Sequence, residues 1–136
     1  MKFNKLVPEL SVSNMKKSLS FYTKILGFKV EYARKESKFA FLALQGSQIM
    51  IQQINPRWET AKLSRPFGRG VNLQMEVKSI RHIINSLNKN DWPLFEPVQE
   101  NWYRKGKHLL GCRELLVQDP DGYLLRFSQD LGTKHI

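Results

Sequence analysis

Cysteine is nearly absent from this sequence. Cys112 is the only one among 136 residues, so no internal disulfide can form, whereas secreted domains of this size more often pair their cysteines. No stretch approaches the ~20 consecutive apolar residues of a membrane span. The first residues, with Lys2, Lys5 and Pro8, lack the long apolar run of a signal peptide. We therefore expect a cytoplasmic protein with no membrane partner.

Histidine is scarce, and acidic residues are outnumbered. His82, His108 and His135 show no spacing typical of a metal site. Lysine and arginine number 22 against 12 aspartate and glutamate, which gives a net charge of +10 and favours anionic partners. The basic residues nevertheless form no run of five, and no nucleic-acid-binding motif occurs. We expect no nucleic-acid partner.

The common catalytic motifs are missing as well. There is no glycine-rich phosphate loop and no nucleophile elbow. Asp119 and Asp121 resemble a catalytic carboxylate pair, but the sequence Asp-Pro-Asp-Gly is typical of a turn whose carboxylates bond nearby backbone. Cys112 has no histidine at a spacing typical of nucleophilic catalysis, so a structural role is expected for it.

One pattern of elements is present, and it occurs twice. Alternation over residues 6–12 predicts a strand, apolar residues at helical spacing predict a helix that Gly27 ends, and three more strands follow up to Ile54. From Val71 the order begins again. Its predicted elements are a strand over 71–77, a helix capped by Ser79, and strands over 92–95, 113–117 and 123–128.

The repeat can be checked position by position. A shift of 65 residues places Leu10 on Met75 and Met15 on Ile80, and a shift of 76 places Ile51 on Phe127 and Gln53 on Gln129. The agreement in both order and spacing predicts an internal duplication. The fold class is therefore α+β, a single domain over residues 1–136 with module one at 5–54, a linker at 55–70 and module two at 71–131.

Two long connections interrupt this pattern, at residues 55–70 and 96–108. Connections of such length in compact domains are usually functional or mobile. They carry four large aromatic residues, each equally suited to anchoring a loop or to stacking on a ligand: Trp58, Phe67, Trp102 and Tyr103.

Each predicted strand has one apolar face and one mixed face, which we call the polar face. The polar faces hold Val7, Glu9 and Ser11; Gln48, Met50 and Gln52; Asn72, Gln74 and Glu76; and Leu124, Arg126 and Ser128. Antiparallel sheets commonly turn such a face to solvent. The alternative is that the polar faces line a cleft, where amides, carboxylates and an arginine could orient a small polar ligand.

Several phrases of this sequence resemble the vicinal-oxygen-chelate superfamily, which holds glyoxalase I, extradiol dioxygenases and bleomycin-resistance proteins. The phrases lie at residues 7–14, 18–28, 65–70, 102–104 and 118–127, and they include Leu-Gly-Phe and Asp-Pro-Asp-Gly-Tyr. The chain is most similar to the bleomycin-resistance type. The resemblance implies paired βαβββ modules whose eight strands form a cupped mixed sheet with the helices outside, in a homodimer.

Enzymes of this superfamily hold a divalent metal with His, Glu or Gln side chains from the cupped strands. Carried over, those positions fall on Val7, Met50 (Gln52 in a register shifted by two), Asn72 and Arg126. Valine and a thioether do not bind a hard cation, and a guanidinium repels one. We therefore expect no metal and no other cofactor.

Bleomycin-resistance proteins, as the resemblance implies, are not enzymes but sequester the drug in clefts at the dimer interface. Drug-binding relatives are acidic and place a tryptophan where this chain has Gly111, whereas this chain is basic. Its arginines favour an anionic or carboxylate-bearing ligand, unless they pair with Glu9, Glu76 or Glu114.

The sequence thus predicts a metal-free, antibiotic-resistance-type protein that binds a small molecule, either aromatic or amphipathic and of a bleomycin-like kind. The alternative is a glyoxalase- or dioxygenase-like enzyme on the same fold, with acid–base groups such as Glu9, Glu76 or Tyr103. No catalytic residue is assigned. The predicted ligand-binding residues are Glu9, Met50, Gln52, Trp58, Phe67, Asn72, Gln74, Trp102, Tyr103, Arg113 and Arg126.

Overall fold

A computed structural model describes residues 1–136, with eight strands and two helices in the predicted order. The first half contains β1 (Glu9–Val12), α1 (Met15–Ser20), β2 (Lys29–Arg34), β3 (Phe39–Leu44) and β4 (Ser47–Gln53). The second half contains β5 (Asn72–Glu76), α2 (Arg81–Lys89), β6 (Glu96–Lys105), β7 (His108–Gln118) and β8 (Leu124–His135). The predicted α+β class with two βαβββ modules is confirmed.

The two sheets have the same topology. Their strand orders are β1-β4-β3-β2 and β5-β8-β7-β6, with one parallel pair in each, β1 with β4 and β5 with β8. Leu10 lies opposite Ile51 in the first sheet, and Met75 lies opposite Phe127 in the second. These are the pairs that the two sequence shifts relate, so the register repeats as well as the order of elements.

The chain divides into two compact units. The first unit is residues 1–69 together with 119–123, and the second unit is 70–118 together with 124–136. The buried core of the first unit includes Leu10, Val12, Phe21, Tyr22, Leu26, Phe28, Ala40, Leu42, Ile49 and Ile51. The core of the second includes Met75, Val77, Ile80, Ile83, Leu87, Leu115, Val117, Leu125 and Phe127.

The first helix begins and ends where its sequence signals stand. The Asn14 side chain accepts a hydrogen bond from the backbone N–H of Lys17 at 3.0 Å, as an N-cap residue does. A wider π-helical turn, Phe21–Ile25, continues α1. Gly27 then adopts a φ of +88°, a conformation that stops the helix and that glycine reaches without a steric cost.

The Asp-Pro-Asp-Gly turn belongs to the first unit and is tied to it by hydrogen bonds. Asp119 accepts bonds from the backbone N–H groups of Asp121 and Tyr123, both at 2.9 Å, and from the Tyr22 hydroxyl at 2.8 Å. Asp121, which is fully buried, accepts bonds from the backbone N–H and the hydroxyl of Ser13. The two carboxylates are therefore structural groups of a turn.

Three predicted boundaries were wrong. Residues 96–108 are not a long loop, because β6 pairs with β7 from Glu96–Leu116 to Lys105–His108. Residues 92–95 form no strand, and the first strand begins at Glu9 rather than at Leu6, which is 85% exposed. Strand β6 is an edge strand with few buried residues, so its sequence lacks the apolar alternation that marks a half-buried strand.

Neither helix in the structure is long and apolar enough to cross a bilayer.

Candidate functional site

A cavity of about 580 Å³ lies in the first unit, at one end of the polar face of its sheet. Phe39 on β3 and Gln52 on β4 are directly paired across the sheet and lie beside each other in its lining. We call it the aromatic cavity. It is lined by Glu9, Arg34, Glu36, Ser37, Lys38, Phe39, Gln52, Gln53, Ile54, Asn55, Arg57 and Trp58.

Trp58 is held in this cavity by a chain of hydrogen bonds. Its indole N–H donates to Oε1 of Gln52 at 3.2 Å, and the Gln52 amide in turn donates to the carbonyl of Ser37 at 3.3 Å. The Trp58 side chain is still 49% exposed. A large ring with its polar atom bonded and its surface open is suited to stacking on a planar ligand.

Two arginines of the aromatic cavity stack on aromatic rings. The guanidinium carbon of Arg34 lies 4.0 Å from the ring centroid of Phe39, and that of Arg57 lies 4.5 Å from the ring centroid of Trp58. Both distances are within the range of a cation–π interaction. These contacts hold two positive groups at the wall of the cavity.

The polar face of the first sheet is less polar than its β1 and β4 residues predicted. Tyr32 on β2 stacks on Phe41 of β3 with ring centroids 5.2 Å apart, and Phe3 meets Phe41 edge-on at 5.3 Å. Met50, directly opposite Phe41, is half-buried beside this aromatic group. Met50 therefore lies on the predicted face, but it does not line the aromatic cavity.

The second unit holds a smaller cavity of about 150 Å³ on its own polar face. We call it the Glu114 cavity, because that carboxylate is its most buried charged group, with a side chain only 3% exposed. Three predicted ligand-binding residues line it, namely Asn72, Tyr103 and Arg126. The other lining residues are Glu96, Gln99, Asn101, Glu114 and Leu116.

Glu114 has partners on both carboxylate oxygens. Oε1 accepts hydrogen bonds from the Tyr103 hydroxyl, from the Asn101 amide at 2.9 Å and from the Cys112 thiol at 3.3 Å. Oε2 accepts from Nη1 of Arg126 at 3.2 Å, which makes an ion pair. Nε of Arg126 is buried without a hydrogen-bond partner.

This network shifts three pKa values. Burial opposes ionisation of Glu114, but the hydrogen bonds from Tyr103, Asn101 and Cys112 and the charge of Arg126 outweigh it, so the pKa of Glu114 is lowered. The hydrogen bond to that carboxylate raises the pKa of Tyr103, and burial raises the pKa of the Cys112 thiol. Glu114 is therefore an ionised, fully bonded carboxylate and a poor general base.

Besides Met50, four of the predicted ligand-binding residues lie away from both cavities. Phe67 is 7% exposed and packs edge-on against Tyr123, so it is a core residue of the first unit. Gln74 is exposed beside Arg126 on the polar face without lining the Glu114 cavity. Trp102 and Arg113 lie on the opposite face of the second sheet.

The reason for this last placement is the pairing of β6 with β7. Trp102 is opposite Gly111, and a Cβ at Gly111 would collide with its ring, so the two share a face. Arg113 lies opposite Glu100, with which it forms an exposed ion pair at 3.5 Å, and it lines a separate cavity of about 500 Å³ beside the start of α2. The structure does not bring either residue together with Tyr103 and Arg126.

The positions that hold a metal in related enzymes do not fit one here. Arg126 puts a guanidinium at one of the four, and Glu114, the nearby carboxylate, is already paired with it. No group of three or more His, Cys, Asp or Glu side chains is placed to hold a metal ion. His108 and His135 are cross-strand neighbours with ring centroids 5.2 Å apart, but these two imidazoles belong to no such group.

Sequence reasoning missed the residues that give both cavities their charge. No role was predicted for Arg34 or Arg57, since the aromatic partner of Arg34 lies on the neighbouring strand and only the register reveals it. Glu114 was treated only as a possible partner of the arginines. The one signal for it was its position two residues from Cys112, on the same side of a strand.

The comparison with known proteins identifies the family. The family model of the Glyoxalase/Bleomycin resistance protein/Dioxygenase superfamily matches residues 2–127. A member of that superfamily from Vibrio splendidus 12B01 is 32% identical, over 92% of this chain and 97% of its own, with a TM-score of 0.43. A search of the curated proteins found no match.

Two other solved structures resemble this one in fold. A virulence protein from Salmonella typhimurium is 23% identical, with a TM-score of 0.67 over 95% of this chain and 98% of its own. TioX from Micromonospora sp. ML1 is 16% identical, with a TM-score of 0.69 over 94% of this chain and 100% of its own. Together with the family match over residues 2–127, the repeated βαβββ topology leads to one conclusion: the chain belongs to the Glyoxalase/Bleomycin resistance protein/Dioxygenase superfamily.

Proposed function

We propose that this protein is a small-molecule-binding protein that sequesters an aromatic or amphipathic ligand without a metal ion, in the manner of bleomycin-resistance proteins. The observation that carries the proposal is the aromatic cavity. It brings Glu9, Gln52 and Trp58 together, and its volume of about 580 Å³ is in the range of sites for drug-sized ligands.

Binding without catalysis is supported by the state of the acidic groups. Glu114, the buried carboxylate of the polar faces, accepts bonds from four side chains and has a lowered pKa. Tyr103 shares one of those bonds and has a raised pKa, so neither group is poised to move a proton near neutral pH. Asp119 and Asp121 serve the turn.

Binding without a metal is supported by the side chains at the four family positions, Val7, Met50, Asn72 and Arg126. Protein purified without added metal is expected to contain no stoichiometric divalent metal by elemental analysis. A bound metal at one equivalent per chain would overturn this part of the proposal.

We further propose that the protein works as a homodimer in the cytoplasm. The aromatic side chains of Trp58 and Tyr103 are each 49% exposed, and those of Phe3 and Phe95 are 56% and 54% exposed. Aromatic residues are enriched in protein–protein interfaces, which supports the proposed contact with a second subunit. Light scattering at micromolar concentration is expected to give the mass of two chains, and a monomer would contradict the dimer.

The proposed function is tested by screening aromatic compounds of all charge classes, bleomycin with and without copper included. Thermal shift identifies binders, calorimetry measures them, and mass spectrometry follows their integrity. We expect compounds that bind and are recovered unchanged, and a resistance phenotype in cells where the bound compound is toxic. Conversion of a bound compound would show an enzyme, and a screen without any binder would contradict the function outright.

A further inference from the structure

The arginines of the aromatic cavity differ from the paired arginines elsewhere in the chain. The structure holds three ion pairs, Arg65–Asp121, Arg113–Glu100 and Arg126–Glu114. Arg34 and Arg57 belong to none of them. Neither guanidinium donates a hydrogen bond within the protein, although each has five N–H donors.

Stacking leaves those donors available. A guanidinium that lies on an aromatic ring uses its face, while its N–H groups point outward in the plane. Arg34 on Phe39 and Arg57 on Trp58 therefore keep unused N–H donors among the lining residues of one cavity. A fork of this shape matches the two oxygens of a carboxylate.

The charge of the lining agrees with this chemistry. Arg34, Lys38 and Arg57 supply three positive charges, and Glu9 and Glu36 supply two negative ones, so one positive charge remains in excess. None of these five groups lies within 4.0 Å of an oppositely charged side chain, since the three ion pairs of the chain involve other residues. A ligand with a single negative charge would balance the cavity.

The aromatic residues of the lining indicate what the uncharged part of the ligand is. Trp58 is oriented by Gln52 and keeps much of its ring open, and Phe39 lies under Arg34. We propose, on the basis of the small-molecule-binding function above, that the aromatic cavity takes a planar aromatic monocarboxylate, with Arg34 and Arg57 binding its carboxylate and Trp58 its ring. Neither arginine was among the residues that the sequence suggested.

The test uses 2-naphthoate as the probe and 2-naphthamide as its neutral counterpart. Calorimetry is expected to detect naphthoate binding that weakens as salt rises, with NMR shifts confined to residues around Gln52 and Trp58. Naphthamide is expected to bind about tenfold or more weakly, because it loses the charge-assisted hydrogen bonds. Equal binding of both probes would overturn the proposal and leave the small-molecule-binding function intact.

The residues are tested with Arg34→Gln and Arg57→Gln, and with Arg104→Gln as a matched control. Arg104 is an exposed arginine of the second unit that does not line the aromatic cavity. Each cavity variant is expected to weaken naphthoate binding about tenfold, the effect of one lost charge-assisted contact, and Arg104→Gln is expected to leave it unchanged. Unchanged melting temperatures and amide spectra establish that the variants fold.

Three results would count against the inference in different ways. Naphthoate binding that survives both cavity variants would remove Arg34 and Arg57 from the site. Failure of naphthoate while a cationic or neutral aromatic binds near Trp58 would overturn the anion preference alone. Failure of every probe in this test and of every compound in the wider screen would overturn the proposed function together with the inference.

Discussion

Gln53 and Gln129 make the same hydrogen bond in the two modules. Oε1 of Gln53 accepts from the backbone N–H of Met15 at 2.9 Å, and Oε1 of Gln129 accepts from that of Ile80 at 3.1 Å. The sequence shifts of 76 and 65 residues relate the two acceptors and the two donors. Each bond ties a strand of one sheet to the start of the helix in the same unit, where backbone N–H groups otherwise lack partners.

Gln53→Leu and Gln129→Leu are each expected to lower the free energy of unfolding by about 1 kcal/mol, the usual effect of losing a hydrogen bond at a helix start. Chemical denaturation measures the change. Gln74→Leu is the control, because Gln74 is exposed on the polar face. If neither variant were less stable than the control, the bonds would not contribute to the fold.

The pKa of Asp119 predicts an unusual pH dependence of the protein's stability. Burial raises its pKa from 3.8 to about 6, although hydrogen bonds from Tyr22 and two backbone N–H groups act in the other direction. A carboxyl group with a raised pKa holds its proton longer in the folded state than in the unfolded state. Its contribution to stability is therefore complete below pH 3.8 and is lost as the pH rises through about 6.

The pKa difference between 3.8 and about 6 corresponds to about 3 kcal/mol in the free energy of unfolding, at about 1.36 kcal/mol for each pKa unit. Denaturation curves between pH 4 and pH 7 measure it, and Asp119→Asn is expected to flatten that part of the profile. Tyr22→Phe removes a hydrogen bond that favours the carboxylate, so it is expected to move the loss of stability to higher pH. A wild-type profile that is already flat there would contradict the raised pKa.

Among the carboxylates on the polar faces, Glu114 is expected to contribute most to stability. Glu114→Gln leaves Arg126, whose side chain is 30% exposed, without its ion-pair partner. Loss of a buried ion-pair partner destabilises strongly, and partial exposure reduces the expected loss to roughly 2–3 kcal/mol. The matched control is Arg113→Gln, which breaks an exposed ion pair and should cost about 1 kcal/mol or less.

The same variant has a spectroscopic consequence. The hydrogen bond to Glu114 is the main reason why the pKa of Tyr103 is raised, so Glu114→Gln is expected to lower it. Absorbance titration of tyrosinate follows the change, and Tyr103→Phe identifies which titration step belongs to that residue. An unchanged tyrosine titration would show that the bond is not made in solution.

Substitutions of Gly111 and Trp102 are expected to have coupled effects on stability. Gly111→Ala places a methyl group against the Trp102 ring and is expected to cost about 1–3 kcal/mol through overpacking. Trp102→Ala removes the obstacle, so the double variant should be no less stable than Trp102→Ala alone. Simple addition of the two single effects in thermal or chemical unfolding would contradict this direct contact.

The fold could be predicted because its signals are local. Apolar residues at helical spacing predicted the first helix, Gly27 marked its end, and the second module showed the same order of elements again. Strand β6 was not predicted, because the burial of an edge strand depends on what covers it. Most residues of β6 are exposed, so its sequence shows no clear alternation.

Part of the candidate site could be predicted, because some of its residues also carry local signals. Alternation placed Glu9 and Gln52 on one face, and Trp58 stood out as an aromatic residue in a connection without periodicity. The stacking of Arg34 on Phe39 depends on the register of β2 with β3, and the partners of Glu114 come from three strands. Such contacts join residues on different strands, so the periodicity within one strand does not predict them.

The turn at residues 119–123 has a consequence for any attempt to separate the two modules. Those five residues lie between β7 and β8 of the second unit, yet they belong to the first unit, where they bond Ser13 and Tyr22. A fragment that stops at residue 70 would lack the carboxylates that these groups require. The first unit is therefore not one continuous segment of the chain, and deleting the second module would remove part of the first unit.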